Sequence, residues 1–283
     1  MRKNEERFGA RQPAESDIPK TTMSNPMDFI TPTEFVELPS KGALYPQGHA
    51  LHNQETIEIR FMTAKDEDIL TSRALLKKGL ALDRLIGNLI VDKTINASDL
   101  LVGDRNAIII AARASAYGHI YETSVTCPQC GESDKHNFNL LEPKAYIGTI
   151  DDSEYNIKKS GNGTYIITLP HTEIDVEVRL LTGLDENRLI QRIQKNMKKK
   201  EDVSTTIRDQ MLAYIVSVNG YGGVEVIHHV VANITAKESR YLRGAYKTIT
   251  PDLKISEHHE CSSCSHEQEL EVPFGADFFW PDR

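Results

Sequence analysis

Apolar and charged positions alternate from Glu55 to Met62, with Ile57 and Ile59 set among Glu55, Glu58 and Arg60. A period of two predicts a strand that buries one face. Thr63, followed by Asp66 and Glu67, supplies an N-cap and the acids of a first helical turn. The helix is expected to run to about Lys78, where Gly79 stops it. Leu82, Leu85, Ile86 and Leu89 then fall at helical spacing, so a second helix buries that face. Ser98 caps a short segment. Asp104–Tyr117 reads as a third helix closed by Gly118, and His119–Thr126 and His136–Leu140 read as strands.

The pattern then starts again. Tyr165–Leu169 and Ile174–Leu180 form a predicted hairpin around Pro170, His171 and Thr172. Helices follow over Leu184 to about Lys200, over Ser204–Val218 up to Asn219 and Gly220, and over Thr235–Tyr246. Leu253–Glu260 and Glu267–Val272 close the series as strands. Helix and strand are mixed in an α+β order.

The restart is visible in the residues. Ile57–Leu70 (IEIRFMTAKDEDIL) aligns without a gap on Val176–Leu189 (VEVRLLTGLDENRL), with identities at Glu58/Glu177, Arg60/Arg179, Thr63/Thr182, Asp66/Asp185, Glu67/Glu186 and Leu70/Leu189. Repetition on this scale governs the fold reading. It predicts internally duplicated strand–helices–strand halves related by a pseudo-twofold axis.

Each half carries one Cys-x-x-Cys pair at a turn between strands: Cys127 and Cys130, then Cys261 and Cys264, the only cysteines of the chain. A two-residue gap lets both thiolates of a knuckle face one ion, and two knuckles make a closed four-cysteine zinc ribbon. A redox pair would instead open a helix, where the dipole lowers the thiol pKa. His258, His259 and His266 lie near the second knuckle as alternative ligands or as groups that orient the site. A closed site leaves no position for water, so the expected Zn2+ is structural.

Other chemistry is sparse. The chain has no phosphate-binding glycine loop, no G-x-S-x-G and no His-Glu-x-x-His, so no catalytic residues and no small-molecule substrate are expected. Asp66/Glu67 and Asp185/Glu186 read as dipole-complementing acids at helix starts. A net charge of −8 disfavours nucleic acid as a partner, although a zinc-ribbon nucleic-acid-binding or transcription-associated factor is the alternative reading. No apolar run is long enough to span a membrane. Cysteines at metal spacing, with no signal-peptide pattern, indicate a reducing compartment.

The domain plan is a disordered leader over 1–25, an extended arm over 26–54, a first half over 55–150, a second half over 151–273 and an aromatic tail over 274–283. The arm turns at Ser40, Lys41 and Gly42. Its apolar residues need a surface, either the protein's own core or a partner. The same choice applies to Phe278, Phe279 and Trp280. The run Lys198–Lys200 reads as a solvated helix end or a contact with an acidic partner.

The segment Glu37–Pro46 (ELPSKGALYP) resembles that of the baseplate hub proteins of T4-like contractile-tailed phages. So do Met62–Leu70, the two cysteine knuckles and the ending Phe278–Pro281. The resemblance spans roughly residues 33–283. It implies a non-enzymatic hub subunit or hub-assembly factor, located in the virion tail baseplate and in the host cytoplasm during assembly. Its implied partners are other hub, tail-tube or tape-measure proteins. Pro39, Lys41, Gly42, Tyr45, Phe278, Phe279 and Trp280 are the candidate partner-binding residues.

Overall fold

Strand β1 (Thr33–Glu37) pairs antiparallel with β2 (Thr56–Arg60), Val36 opposite Ile57. The alternation in β2 does what its period requires, burying Ile57 and Ile59. The structure, a computed structural model, describes residues 31–141, 144–161, 163–198, 206–272 and 276–279. The leader over 1–25 therefore lies outside the described residues.

The single helix expected after β2 is two, α1 (Ala64–Thr71) and α2 (Arg73–Lys78), split at Ser72, whose backbone is extended. Thr71 Oγ1 turns back onto the carbonyls of Glu67 and Asp68 and competes with helix continuation at that point. Helix α3 (Ala81–Leu89) buries Leu85, Ile86 and Leu89 as its spacing predicts. A short 3₁₀ turn (Ala97–Asp99) leads into α4 (Val102–Tyr117), where Ile108, Ile109 and Ile110 are all buried. Three consecutive buried residues cannot share one helical face, so α4 is enclosed on most sides. Strands β3 (Ile120–Thr126) and β4 (Ser133–Asn139) form the hairpin of the first knuckle.

Beyond it come β5 (Lys144–Tyr146), β6 (Ile157–Lys159), β7 (Tyr165–Thr168) and β8 (Asp175–Val178). Helices α5 (Gly183–Lys198) and α6 (Thr206–Tyr214) lead to β9 (Ile215–Val218). Helices α7 (Val224–Asn233) and α8 (Ala236–Ile249) precede β10 (Asp252–Lys254), β11 (Ser256–Glu260) and β12 (Glu267–Glu271), and a 3₁₀ turn spans Ala276–Phe279. Strands β6, β7, β8 and β9 form an antiparallel sheet in that order; β5 pairs with β10, and β11 with β12. The helix expected over Ser204–Val218 thus ends at Tyr214. Residues 215–218 are Ile-Val-Ser-Val, β-branched at three of four positions, and pairing with β8 outweighs the helical spacing. No helix among the described residues is long and apolar enough to cross a membrane.

Two hydrogen-bond constellations occur twice. The Arg60 guanidinium grips both oxygens of Asp66 (2.7 and 2.9 Å), and Asp66 also accepts from the amide and hydroxyl of Thr63. Arg179, Asp185 and Thr182 repeat every one of these contacts. In the first turn of α4, Asp104 accepts from the amide and hydroxyl of Ser40, in the loop after β1. In the first turn of α8, Glu238 accepts from the amide and hydroxyl of Thr172, in the loop after β7. The strands follow suit, since the Ile59–Ile90 bridge matches the Val178–Ile215 pair.

Leu101 bridges to Thr182, joining the start of α4 to the start of α5. Beneath that bridge the buried Arg105 guanidinium pairs with Asp83 (2.6 Å) and approaches Glu186 (3.7 Å). Asn106 donates to Asp252 across the same junction.

The Arg–Asp forks set a pH response. Burial opposes ionisation of Asp66 and Asp185, but the arginine and threonine donors outweigh it and hold both carboxyls below the ordinary range. A lowered folded pKa gives stability that is full above about pH 4 and lost as pH falls through the lowered value. Asp185→Asn is expected to cost about 1–3 kcal/mol at pH 7, and its deficit should close toward pH 2. Urea midpoints across that range check it; a deficit independent of pH would remove the electrostatic account.

Candidate metal centre

Each knuckle is built by its hairpin. β3 delivers Cys127, whose amide donates to Glu132 O (2.8 Å), and Gly131 N returns to Cys127 O (2.9 Å). Gly131 adopts a positive φ of 77°, which glycine takes without steric penalty. The second knuckle repeats the turn: Cys261 N donates to His266 O (3.0 Å) and Ser265 N to Cys261 O (2.9 Å). There Ser265 holds the left-handed conformation, at φ 53°.

The two hairpins meet and bring the four sulfurs within 4.8 Å of one another. Cys127 Sγ lies 3.7 Å from Cys264 Sγ, and Cys130 Sγ lies 3.7 Å from Cys261 Sγ. A disulfide needs about 2.05 Å, so these are not disulfides. A tetrahedron with metal–sulfur bonds of about 2.3 Å has edges of about 3.8 Å, so the donor set fits zinc in size and chemistry. Cys127 and Cys261 are buried, Cys130 and Cys264 exposed. The thiols differ in acidity. Backbone amides of Cys130 and Gln129 bring Cys127 down to about 6 against the opposing effect of burial. Cys264 receives a backbone hydrogen bond from His266 that favours ionisation, but local desolvation by the sulfur cluster and the neighbouring thiols of Cys130, Cys127 and Cys261 push it up to about 12.

The histidines stand beside the sulfurs. His136 Nε2 on β4 is 3.1 Å from Glu257 on β11, and its ring meets His259 edge-on at 5.2 Å. His259 Nε2 lies 3.9 Å from Asp134, and His258 Nε2 lies 3.8 Å from Glu267. Among the described residues the only metal-capable cluster is the four cysteines.

The family model described as T4 bacteriophage base plate protein matches residues 31–280. The chain belongs to that family. It is a phage base plate protein, and the family places it at the virion tail baseplate in contact with other tail proteins. No curated protein and no solved structure matches it.

In this base plate protein the residues considered for partner binding mostly face inward. Pro39, Gly42, Tyr45, Phe278 and Phe279 are buried, and Lys41 is half-buried beside Glu37. The reason is Asp104: its carboxylate accepts from Ser40 and from Tyr45 Oη (2.7 Å), and Tyr45 Oη accepts from Leu101 N, so the loop is tied onto α4. Gly42 has φ 69°, and a Cβ there would run into the backbone of Gln54 and Leu51. Phe278 packs on Tyr121 at 4.9 Å between ring centres. Trp280 and two of the three lysines of the 198–200 run lie outside the described residues. Exposed apolar side chains sit elsewhere: Phe35, Leu141, Ile147, Tyr221 and Val224. The sequence reading missed Asp104, although it is the first-turn acid of its own predicted third helix.

Proposed function

We propose that this chain is a non-enzymatic structural or assembly component of the baseplate hub of a contractile phage tail, binding other hub, tail-tube or tape-measure proteins. Family membership over residues 31–280 carries the reading. In this reading Cys127, Cys130, Cys261 and Cys264 hold a structural Zn2+. When bound, the ion cross-links two duplicated halves about a pseudo-twofold axis. The repeated Arg–Asp–Thr and acid–hydroxyl constellations support the duplication, and the 3.7 Å sulfur edges support the zinc ribbon. A rigid two-half body suits a part that must present fixed surfaces to several neighbours.

The test is genetic and biochemical. An amber mutation in the gene for this chain, in the phage that carries it, should leave tails that lack complete baseplates under the electron microscope. Purified chain should form a complex of defined stoichiometry with hub components. Normal infectious tails assembled in its absence would end the proposal. Presence or absence of the chain in finished virions, read by mass spectrometry, separates a resident subunit from an assembly factor.

A further inference from the structure

The two hairpins carry the same knuckle but are not braced alike. Asp134 on β4 reaches across to the second knuckle, where its carboxylate accepts from Ser262 N (3.2 Å) and from Ser262 Oγ (2.8 and 3.0 Å). Ser262 sits between Cys261 and Cys264, so these bonds fix the turn that aims both sulfurs. In the register that lays Cys127 on Cys261 and Cys130 on Cys264, Asp104 falls on Glu238, the acid pair already seen to do the same work in each half. In that same register Asp134 falls on Gln268, and Ser262 falls on Pro128. Proline has no N–H to give. Gln268 Nε2 is buried and has no hydrogen-bond partner among the described residues. The adjacent contact is one-sided as well: the His136–Glu257 pair falls on Leu270 and Thr123, which cannot form an ion pair.

We infer that Asp134 is a positioning residue of the metal centre: acting through Ser262, it holds the second knuckle in its ligating shape, while the first knuckle has lost the matching brace to Pro128. This rests on the four-cysteine metal reading above. Asp134 is not itself a ligand. Groups that orient metal ligands characteristically change affinity 10–100-fold when removed. With one knuckle braced, the metal leaves by way of the unbraced pair, Cys127 and Cys130.

The experiment follows zinc transfer from the full chain to a chromogenic chelator. Asp134→Ala is expected to speed release about 10-fold or more. Asp134→Asn should fall between it and the wild type, and Ser262→Ala should be milder because the backbone N–H still donates. Cobalt-loaded Asp134→Ala should keep the absorption of a tetrahedral four-sulfur site, which separates faster release from loss of a ligand. The double variant Pro128→Ser with Gln268→Asp rebuilds the missing brace and should slow release several-fold. A wild-type chain that takes up no zinc would overturn the metal reading and this inference together. A wild type that holds zinc, with Asp134→Ala releasing it at the same rate within two-fold, would overturn the inference alone. So would a rebuilt brace that melts like wild type yet releases zinc no more slowly.

Discussion

Replacing Cys261 with serine is expected to abolish stoichiometric zinc and to lower the melting temperature by about 10 °C. The size follows from linkage: an ion present at about 1,000 times its Kd stabilises the folded state by about 4 kcal/mol, and each kcal/mol is worth about 2–4 °C in a chain of this size. Cys261 is the sharper choice because it is buried, with 1% of its surface exposed, so no outside group can replace its thiolate. Wild type stripped by a chelator should melt with the variant, and the variant should be indifferent to the chelator. The far-UV circular dichroism should change little in either case. The enclosed α4, the β6–β9 sheet and the Arg105 junction do not depend on the sulfurs. Equal melting of wild type with and without chelator would remove the structural metal.

Arg105→Ala is expected to cost about 3–5 kcal/mol, the range for breaking a buried charge network by removing one member. Arg105 is 3% exposed. It stands between Asp83 and Glu186 and also donates to Ala97 O (3.1 Å). Without it the carboxylates of Asp83 on α3 and Glu186 on α5 face each other with no cation between them. Burial already raises the Glu186 carboxyl, Arg105 lowers it, and Asp83 and Asp252 raise it. Loss of the arginine raises it further. A raised folded pKa in an acid penalises the folded state at neutral pH, and protonation relieves the penalty as pH falls. The deficit of Arg105→Ala should therefore shrink as pH falls from neutral, in the same direction as that of Asp185→Asn but starting at higher pH, because the Glu186 carboxyl is raised and the Asp185 carboxyl lowered. Chemical denaturation across that range reads this directly. Gly183→Ala should weaken the same junction, because a Cβ there would collide with the Arg105 side chain.

Much of this architecture could be read from the residues, and the failures have physical reasons. Alternation at Ile57 and Ile59 and helical spacing at Leu85, Ile86 and Leu89 reported burial correctly because each element buries one face. The sulfur cluster was legible because knuckle spacing is a local constraint. Strand β9 was missed because four residues satisfy helical and strand patterns equally, and only the presence of β8 decides. Strand β5 was missed because a three-residue strand carries almost no period, and β10 was read as one strand with β11 over Leu253–Glu260. For the loop holding Pro39 and Gly42 the choice between core and partner stayed open in the sequence because its anchor, Asp104, is more than sixty residues away. The brace on Ser262 was invisible for the same reason.

The separation of the knuckles also bears on how the chain is made. Cys127 and Cys130 emerge from the ribosome long before Cys261 and Cys264, with strands β5–β10 and helices α5–α8 between them. Closing so long a loop costs little more entropy than closing one of half its length, so the delay is one of synthesis, not of search. A nascent chain that stops after β4 offers two thiols and half a coordination shell. The four-sulfur cluster exists only once both hairpins have been translated and docked, so an ion held by all four sulfurs would be a certificate of completion that an unfinished chain cannot carry.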